Sequence, residues 1–386
     1  MSLQVLQPKY RTQETLDAIK ECLDKKWTGM GYKTVEFEEQ WKSYGGFNHA
    51  HFVNSGTSAL HLSLSVFKED YNWNNDTEII TTPLTFVSTN HVILYENFKP
   101  VFVDVDDTLC MDPSKIINSI TSNTKAIIYV GLGGNTGNYL EVKEICKQYN
   151  LKLILDGAHL AGTQVREMSP EGSGYSFWQI GKFADAACFS FQAVKNLPTA
   201  DSGMVCFRNQ RHDQLSRKLS WMGIDKDTFS RTLPDGSYKW KYDVPYLGYK
   251  YNGNSVMAAM AIVSLKYLSE DNTYRNQIAD YYDNQLQNLE LEKVNIPWQC
   301  HVNSRHLYQI LVPNNRRDFI IDEMYDNGLY PGVHYITNVK YKMYSNQAMK
   351  TTKANSYSDK LLTLPIHCNM TLDDADNVVK LIRKFL

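Results

Sequence analysis

A single lysine, Lys195, stands in the loop between two apolar runs of the sequence, residues 188–191 and 204–207. Most lysines are solvated surface charges, so a lysine between two strand-like runs asks for an explanation. A lysine is charged at neutral pH and becomes a nucleophile only when it loses that charge, as it does on forming an imine. The position of Lys195 therefore indicates an amine that binds a carbonyl compound, with a surface lysine as the structural alternative.

Three further signals stand where other apolar runs end. Ser55, Gly56 and Thr57 follow the run HFV and open a helical pattern, so their N–H groups could bind an anion. An ordinary serine helix cap would explain them as well. Asp156 ends the run LKLIL and needs a partner if it is buried, which a backbone cap could also provide. Phe86 follows TTPLT, where its ring could cover a flat ligand or simply join the core.

Taken alone, each of these four signals has a structural explanation. Taken together, they fit the parts of one ligand, pyridoxal 5′-phosphate. The helix N-terminus would bind the phosphate, and the ring of Phe86 would cover the cofactor ring. Lys195 would form the Schiff base with the carbonyl group. Asp156 would keep the pyridine nitrogen protonated, so that the ring can act as an electron sink. These residues therefore predict a pyridoxal phosphate site.

The elements that must position these residues alternate along the chain from about residue 50 to residue 210. Apolar runs begin at 51, 78, 100, 125, 151 and 187, and helix-like segments separate them. In the first such segment Leu60, Leu64 and Phe67 recur at helical spacing. The pattern predicts an α/β fold with a mainly parallel, helix-flanked sheet, in which ligands bind at the carboxyl ends of strands.

The rest of the chain shows a different pattern. The polar and aromatic segment 208–250 is predicted to be a long excursion, and a smaller α+β pattern begins near residue 305. We therefore expect a large cofactor-binding α/β domain over residues 1–250 and a small C-terminal α+β domain over residues 251–386.

The composition limits the class of protein further. The 40 basic and 42 acidic residues nearly cancel, so a broad basic surface for nucleic acid is not expected. The seven cysteines are scattered and contain no CxxC pair, which argues against a disulfide framework and a zinc site. No apolar run approaches the roughly 20 residues that span a bilayer, and no signal-peptide pattern opens the sequence. We expect a cytoplasmic protein that binds no metal, membrane or nucleic acid.

The chain resembles the sugar-nucleotide aminotransferases of the DegT family, which are fold-type I pyridoxal phosphate enzymes. The resemblance covers nearly the whole chain and rests on a series of segments in the family's order, namely KKWTGMGYKTVEFEEQW, NSGTSALHLSL, ILDGAHLAGT, FSFQAVKN, LGYKYNGNSVMAAM, GVHYITN and LTLPIH. It implies a homodimer in which each active site is completed by the partner subunit. It also implies transfer of an amino group, from L-glutamate, to a nucleotide-linked 3-keto- or 4-keto-6-deoxyhexose.

The resemblance implies roles for single residues. Lys195 matches the lysine that binds the cofactor, and Asp156 matches the partner of the pyridine nitrogen. His159 matches the residue that contacts the ring hydroxyl, and Phe86 the aromatic that stacks on the ring. The phosphate-binding positions are matched by Gly56, Thr57 and Ser190, and from the neighbouring subunit by Lys250. Two basic residues of the excursion, Arg231 and Lys239, are candidates for binding the substrate's diphosphate by their charge.

Three departures from the family pattern concern the substrate. Gly131 stands where the family commonly has a histidine, Gln192 and Ala193 replace the usual His-Pro or Tyr-Pro, and TADSGMV replaces an acidic-Gly-Gly sequence. A branch of the family that dehydrates sugars has histidine in place of the lysine, so Lys195 favours the transaminase. Two alternatives stay open. One is an aminotransferase that acts on a ring ketone without a nucleotide, and the other is a cofactor-binding regulator without transaminase activity.

Overall fold

The computed structural model of the chain describes residues 2–168, 174–225, 242–313 and 315–386. Within these residues the strands are β1 Leu3–Gln4, β2 His51–Val53, β3 Glu78–Thr81, β4 Lys99–Phe102, β5 Thr124–Val130, β6 Lys152–Asp156, β7 Gln164–Met168, β8 Tyr175–Gln179, β9 Ala186–Ser190, β10 Gly203–Phe207, β11 Glu292–Lys293, β12 Cys300–Val302, β13 Tyr308–Leu311, β14 Leu329–Tyr330 and β15 Leu361–Leu364. The α-helices are α1 Thr12–Asp24, α2 Tyr32–Gly45, α3 Gly56–Tyr71, α4 Ser88–Tyr95, α5 Tyr139–Gln148, α6 Gln210–Ser220, α7 Ser255–Gln285, α8 Arg317–Asp326, α9 Thr352–Lys360 and α10 Leu372–Phe385. Within the same ranges, no helix has the length and apolar character needed to cross a membrane.

A seven-stranded sheet in the order β2-β10-β9-β6-β5-β3-β4 forms the centre of the molecule. Its neighbouring strands are parallel except where β10 pairs with β2 and β9, and those two pairs are antiparallel. All six apolar runs predicted as strands belong to this sheet, and so does the run at residues 204–207. The predicted fold class, α/β with a mainly parallel sheet flanked by helices, is confirmed.

Helices cover both faces of the sheet because its strands are apolar on both sides. In β5, Ile127 and Tyr129 point into one hydrophobic cluster, whereas Ala126 and Ile128 point into another, as alternation along a strand requires. Helices α2, α5 and α7 contribute to the first cluster, and α3, α4 and α6 contribute to the second. The sheet is thereby held rigidly between two helical layers.

The segment 208–250, predicted to be an excursion, begins instead with helix α6. Its apolar residues Leu215 and Leu219 lie one turn apart and pack into the second cluster. Because most other residues of this helix are polar, the composition of the segment does not reveal its short apolar stripe.

A third hydrophobic cluster occupies the C-terminal part of the chain, residues 251–386, together with the first strand. It includes residues of β13, β15 and α10, and β1 pairs in parallel with β14. Helix α7 joins the clusters, since Ala258 and Leu265 pack in the first and Ile278 and Tyr282 in the third. The boundary that we propose at residue 250 lies shortly before this helix.

Candidate active site

The residues that follow β2, β5, β6 and β9 line a cavity of about 460 Å³. These strands are mutually parallel in direction within the sheet, so their carboxyl ends meet at one edge, where α/β proteins bind ligands. The predicted site residues on its lining are Ser55, Gly56, Thr57, Phe86, Asp156, His159, Ser190 and Lys195. Eight of the nine predicted positions are thus brought together, and Lys250 is the exception.

The N-terminus of α3 forms one end of the cavity. Ser55 caps this helix, because its Oγ accepts a hydrogen bond of 3.0 Å from the N–H of Ser58. The N–H groups of Gly56 and Thr57 lie in the first turn, where a helix offers them no internal acceptor. A Cβ on Gly56 would lie 2.8 Å from the Cβ of Ser190, so only glycine allows this close approach. The free N–H groups beside the Ser190 hydroxyl suit a phosphate group.

Asp156 stands at the end of β6 and is 5% exposed. Its Oδ2 accepts a hydrogen bond of 2.7 Å from the Thr89 hydroxyl, and its Oδ1 accepts one of 3.1 Å from the N–H of Ala158. Burial raises the pKa of Asp156, and these two hydrogen bonds and the charge of Lys195 act in the opposite direction. A buried carboxylate is stabilised best by a facing cation, such as a protonated pyridine nitrogen.

Lys195 extends from the loop between β9 and β10 and lines the cavity. The loop is held in place because Thr199 N–H donates to Phe191 O at 2.8 Å and Lys195 N–H donates to Gln192 O at 2.8 Å. Among the residues that the structure describes, none forms a hydrogen bond or ion pair with Lys195 Nζ. Burial lowers the pKa of Lys195 to about 8, although the charge of Asp156 acts to raise it. Near neutral pH an appreciable share of this amine is therefore uncharged and nucleophilic.

His159 lies one turn beyond Asp156 and is a hydrogen-bond donor toward the cavity. The N–H of Gly133 donates to His159 Nδ1 at 3.2 Å, so a neutral ring must carry its proton on Nε2. That nitrogen lies 3.2 Å from the hydroxyl oxygen of Tyr335. Burial, followed by the charge of Lys195, lowers the pKa of His159 well below its usual range, which keeps the ring neutral. An Nε2–H donor suits the oxygen of the hydroxyl group on a pyridoxal ring.

These groups fit pyridoxal 5′-phosphate at four separate points. The first turn of α3 and Ser190 would hold the phosphate, Asp156 the pyridine nitrogen, His159 the ring hydroxyl and Lys195 the carbonyl carbon. When bound, the cofactor supplies an electron sink that makes a proton on the substrate's α-carbon removable.

Three residues of the C-terminal part complete the cavity, and sequence reasoning did not assign them to it: His306, His334 and Tyr335. The ring centroid of His306 lies 4.4 Å from that of His159, and the ring centroid of Tyr335 lies 5.8 Å from that of Phe86. Burial lowers the pKa of His334 to about 4 and that of His306 well below its usual range. Burial also raises the pKa of Tyr335, so all three rings are neutral near neutral pH.

Phe86 lines the cavity with 55% of its surface exposed, and its predicted contact with the cofactor ring stays a prediction. Thr89, which binds Asp156, was not predicted. The segment TTPLTFVSTN contains it seven residues after Thr82, but hydroxyl residues there are too common to single one out.

Gly131, one of the departures from the family pattern, packs against Leu160. A Cβ at this position would lie 2.4 Å from Cδ1 of Leu160, so a histidine here would require that leucine side chain to move. Gln192 lines the cavity, and its Oε1 accepts a hydrogen bond of 3.0 Å from the N–H of Val194. Ala193 lies between these two residues.

Lys250 is exposed and lies away from the cavity lining of its own chain. Its Nζ lies 3.1 Å from the ring centroid of Trp221, a cation–π contact. Arg231 and Lys239 lie outside the described residues. In the described ranges, no group of three or more His, Cys, Asp and Glu side chains is arranged to hold a metal ion.

Comparison with known proteins identifies the family of the chain. Residues 9–383 match the DegT/DnrJ/EryC1/StrS aminotransferase family. The chain is 33% identical to the uncharacterized protein MJ1066 of Methanocaldococcus jannaschii, over 97% of this chain and 95% of that protein.

Solved structures resemble the fold over its full length. The aminotransferase TlmJ from Streptoalloteichus hindustanus has a TM-score of 0.88 at 25% identity, covering 100% of this chain and 98% of TlmJ. Spr1654 from Streptococcus pneumoniae, in its PLP form, has a TM-score of 0.87 at 25% identity, covering 100% of both chains. The chain therefore belongs to the DegT/DnrJ/EryC1/StrS aminotransferase family and is a pyridoxal phosphate-dependent aminotransferase.

Proposed function

We propose that this enzyme transfers the amino group of L-glutamate to the ketone of a nucleotide-linked sugar, a 3-keto- or 4-keto-6-deoxyhexose, in the cytoplasm. The observation that carries the proposal is that Lys195 and Asp156 line one cavity, with a pKa of Lys195 lowered to about 8 by burial. A buried amine with a lowered pKa and a buried carboxylate in the same cavity are the pair that cofactor attachment and proton transfer require. Membership of a family of aminotransferases supports the same reaction class.

Lys195 would act twice in each half-reaction. It would hold the carbonyl carbon of the cofactor at rest and would become a free amine once the amino donor is attached in its place. Because burial lowers the pKa of Lys195 to about 8, this amine could then act as the base that takes the proton from the α-carbon of the donor. In the second half-reaction the same Nζ would deliver a proton to the sugar carbon that carried the ketone oxygen. Asp156 and His159 would hold the cofactor ring.

A direct comparison of substrates tests the sugar part of the proposal. The enzyme would be given L-glutamate with nucleotide-linked 3-keto and 4-keto sugars, and in parallel with free ring ketones, and kcat/KM would be measured for each. We expect a marked preference for one of the nucleotide-linked sugars. Equal or higher kcat/KM for a free ring ketone would replace this proposal with the cyclic-ketone alternative. No amino transfer to any ketone would favour a regulatory role.

We also propose that the enzyme is a homodimer in which Lys250 reaches the phosphate in the partner subunit. Two observations support this: Lys250 is exposed, and it lies outside the cavity of its own chain. Its neighbours Tyr249 and Tyr251 stack on each other at 4.9 Å between ring centroids, which fixes the segment that carries it.

Mixing two inactive variants tests this shared site. Lys195→Ala and Lys250→Ala should each lower activity strongly when pure. Mixed and refolded together, half of the dimers would be mixed, and each mixed dimer would contain one intact site. Activity should therefore recover to about a quarter of the wild-type value. If the two lysines act within one chain, mixing will restore nothing.

A further inference from the structure

Two imidazole rings lie against each other in the lining of the cavity, with 36° between their planes, and their hydrogen-bond partners give them opposite tautomers. The ring centroids of His159 and His306 lie 4.4 Å apart. A backbone N–H can only donate, so the bond from Gly133 N–H to His159 Nδ1 leaves the proton of a neutral His159 on Nε2. His159 therefore offers a donor to the cavity.

Asn196, the residue after Lys195, fixes the opposite tautomer of His306. The amide nitrogen of Asn196 donates to the carbonyl oxygen of Ser304 and to Oδ1 of Asn272, each at 2.7 Å. A backbone carbonyl can only accept, which fixes the orientation of the Asn196 amide. Asn272 is fixed in turn, because its own Nδ2 donates to Ala161 O at 2.9 Å.

The oxygen of the Asn196 amide is left to face His306 Nδ1, at 2.8 Å. An amide oxygen can only accept, so Nδ1 of His306 must carry a proton. His306 is 1% exposed and neutral, because burial and the neighbouring charges lower its pKa. Its Nε2 is consequently unprotonated.

His306 lines the cavity together with Lys195, and no hydrogen bond among the described residues uses its Nε2. We propose that Asn196 is a positioning residue that holds His306 as the Nδ1–H tautomer, so that His306 Nε2 accepts a hydrogen bond from an N–H or O–H group of the substrate. This inference rests on the proposed function. The donor group has two possible sources, the amino group of the amino donor and a hydroxyl group of the sugar.

The tautomer can be measured without any turnover. Nitrogen-15 NMR of the holoenzyme labelled at histidine, assigned with a His306→Asn variant, reports which ring nitrogen of His306 carries the proton. We expect a protonated Nδ1 and an unprotonated Nε2 at neutral pH, and loss of that preference in Asn196→Ala. An Nε2–H tautomer or a doubly protonated ring in the wild type would overturn the proposal, whatever reaction the enzyme performs.

A matched pair of variants distinguishes the roles of the two ring nitrogens of His306, because the amides of asparagine and glutamine extend to different distances from the backbone. In His306→Asn the amide nitrogen can occupy the Nδ1 position and keep the bond to Asn196, but the cavity acceptor is gone. In His306→Gln the amide can reach the Nε2 position, but the bond to Asn196 is lost. We expect His306→Asn to lower the rate of one half-reaction about tenfold, with cofactor retained, and His306→Gln to lower it less.

Single-turnover measurements then identify the source of the donor group. A loss confined to the reaction with L-glutamate assigns the amino donor, and a loss confined to the reaction with the keto sugar assigns a sugar hydroxyl. Unchanged rates in His306→Asn would overturn the proposal. Equal losses in the two variants would also overturn it, because they would indicate a packing role for the ring.

Discussion

The cavity has two walls that differ in chemistry and in the way they are held. The sheet wall, formed by Ser55–Thr57, Asp156, Ser190 and Lys195, carries the N–H groups suited to an anion, the carboxylate of Asp156 and the amine of Lys195. The C-terminal wall, formed by His306, His334 and Tyr335, carries three neutral rings. The difference suggests a division of work in which the sheet wall binds the cofactor and the C-terminal wall contacts the substrate.

The two walls also differ in rigidity. Backbone pairing fixes the sheet wall, since Asp156 pairs with both Val130 and Cys188 across neighbouring strands. Side chains hold much of the C-terminal wall. His334 O accepts a hydrogen bond of 2.6 Å from Gln309, and His334 Nδ1 lies 3.1 Å from the Thr363 hydroxyl. Substitutions in the sheet wall should therefore change cofactor binding and kcat, whereas those in the C-terminal wall should act on individual substrates.

The largest effect is expected from Lys195, because the proposed function gives this residue both the covalent attachment of the cofactor and the proton transfer. Lys195→Ala should abolish measurable turnover, since loss of the proton carrier alone lowers rates by about 10²–10⁴. Lys195→Arg is the matched control: it keeps the charge but cannot become a neutral amine, so it should be equally inactive. Steady-state kinetics with saturating cofactor would check this. A rate close to wild type in either variant contradicts the assignment.

The next largest effect is expected at Asp156. Asp156→Asn keeps the shape and removes the negative charge that we propose pairs with the pyridine nitrogen, so kcat should fall by about 100-fold or more. Thr89→Val removes only one hydrogen bond to that carboxylate and should cost about tenfold at most. Measurement of kcat and cofactor affinity for both variants tests the order. A larger loss in Thr89→Val than in Asp156→Asn would show that the charge is not what matters.

A pH dependence follows from the burial of Lys195. Only the neutral amine attacks the cofactor, and burial lowers its pKa to about 8. The rate at which the apoprotein binds pyridoxal phosphate should therefore rise about tenfold per pH unit below about 8 and then level off. Stopped-flow absorbance over this range measures it. A rise that continues toward about 10.4, the value of a solvated lysine, would mean that the sheet wall does not desolvate this amine.

The smallest effect is expected in the C-terminal wall. Tyr335→Phe removes the hydroxyl that lies 3.2 Å from His159 Nε2 but keeps the ring, so kcat/KM should fall about two- to tenfold. Cofactor retention after gel filtration should be unchanged, because the sheet wall is intact. If Tyr335→Phe releases the cofactor as readily as a sheet-wall variant does, the division between the two walls is wrong.

The sheet wall could be predicted from the sequence because its residues follow apolar runs. Parallel strands bring their carboxyl ends to one edge, so the order of runs along the chain is enough to place Asp156, Ser190 and the start of α3 together. The antiparallel direction of β10 and the pairing of β1 with β14 could not be predicted, since they depend on contacts distant in sequence.

The C-terminal wall illustrates what local patterns leave out. His306 stands two residues before β13, a strand of a different sheet, and His334 and Tyr335 follow β14. Their approach to Lys195 depends on how the two small sheets that contain β13 and β14 pack against the seven-stranded sheet. The spacing of residues within one segment does not encode that packing. The segment GVHYITN could be matched to the family, but the match did not say that the rings of His334 and Tyr335 line the cavity.

The central claim is that Lys195 binds the cofactor and moves the proton that allows the cofactor to carry the amino group. The most direct measurement is the visible absorption of the purified holoenzyme before and after addition of L-glutamate, beside the Lys195→Ala variant. The account predicts a yellow wild-type protein whose colour fades with L-glutamate, and a variant that does not undergo this change. A wild-type protein that stays colourless with added pyridoxal phosphate, or a variant that responds as the wild type does, would contradict it.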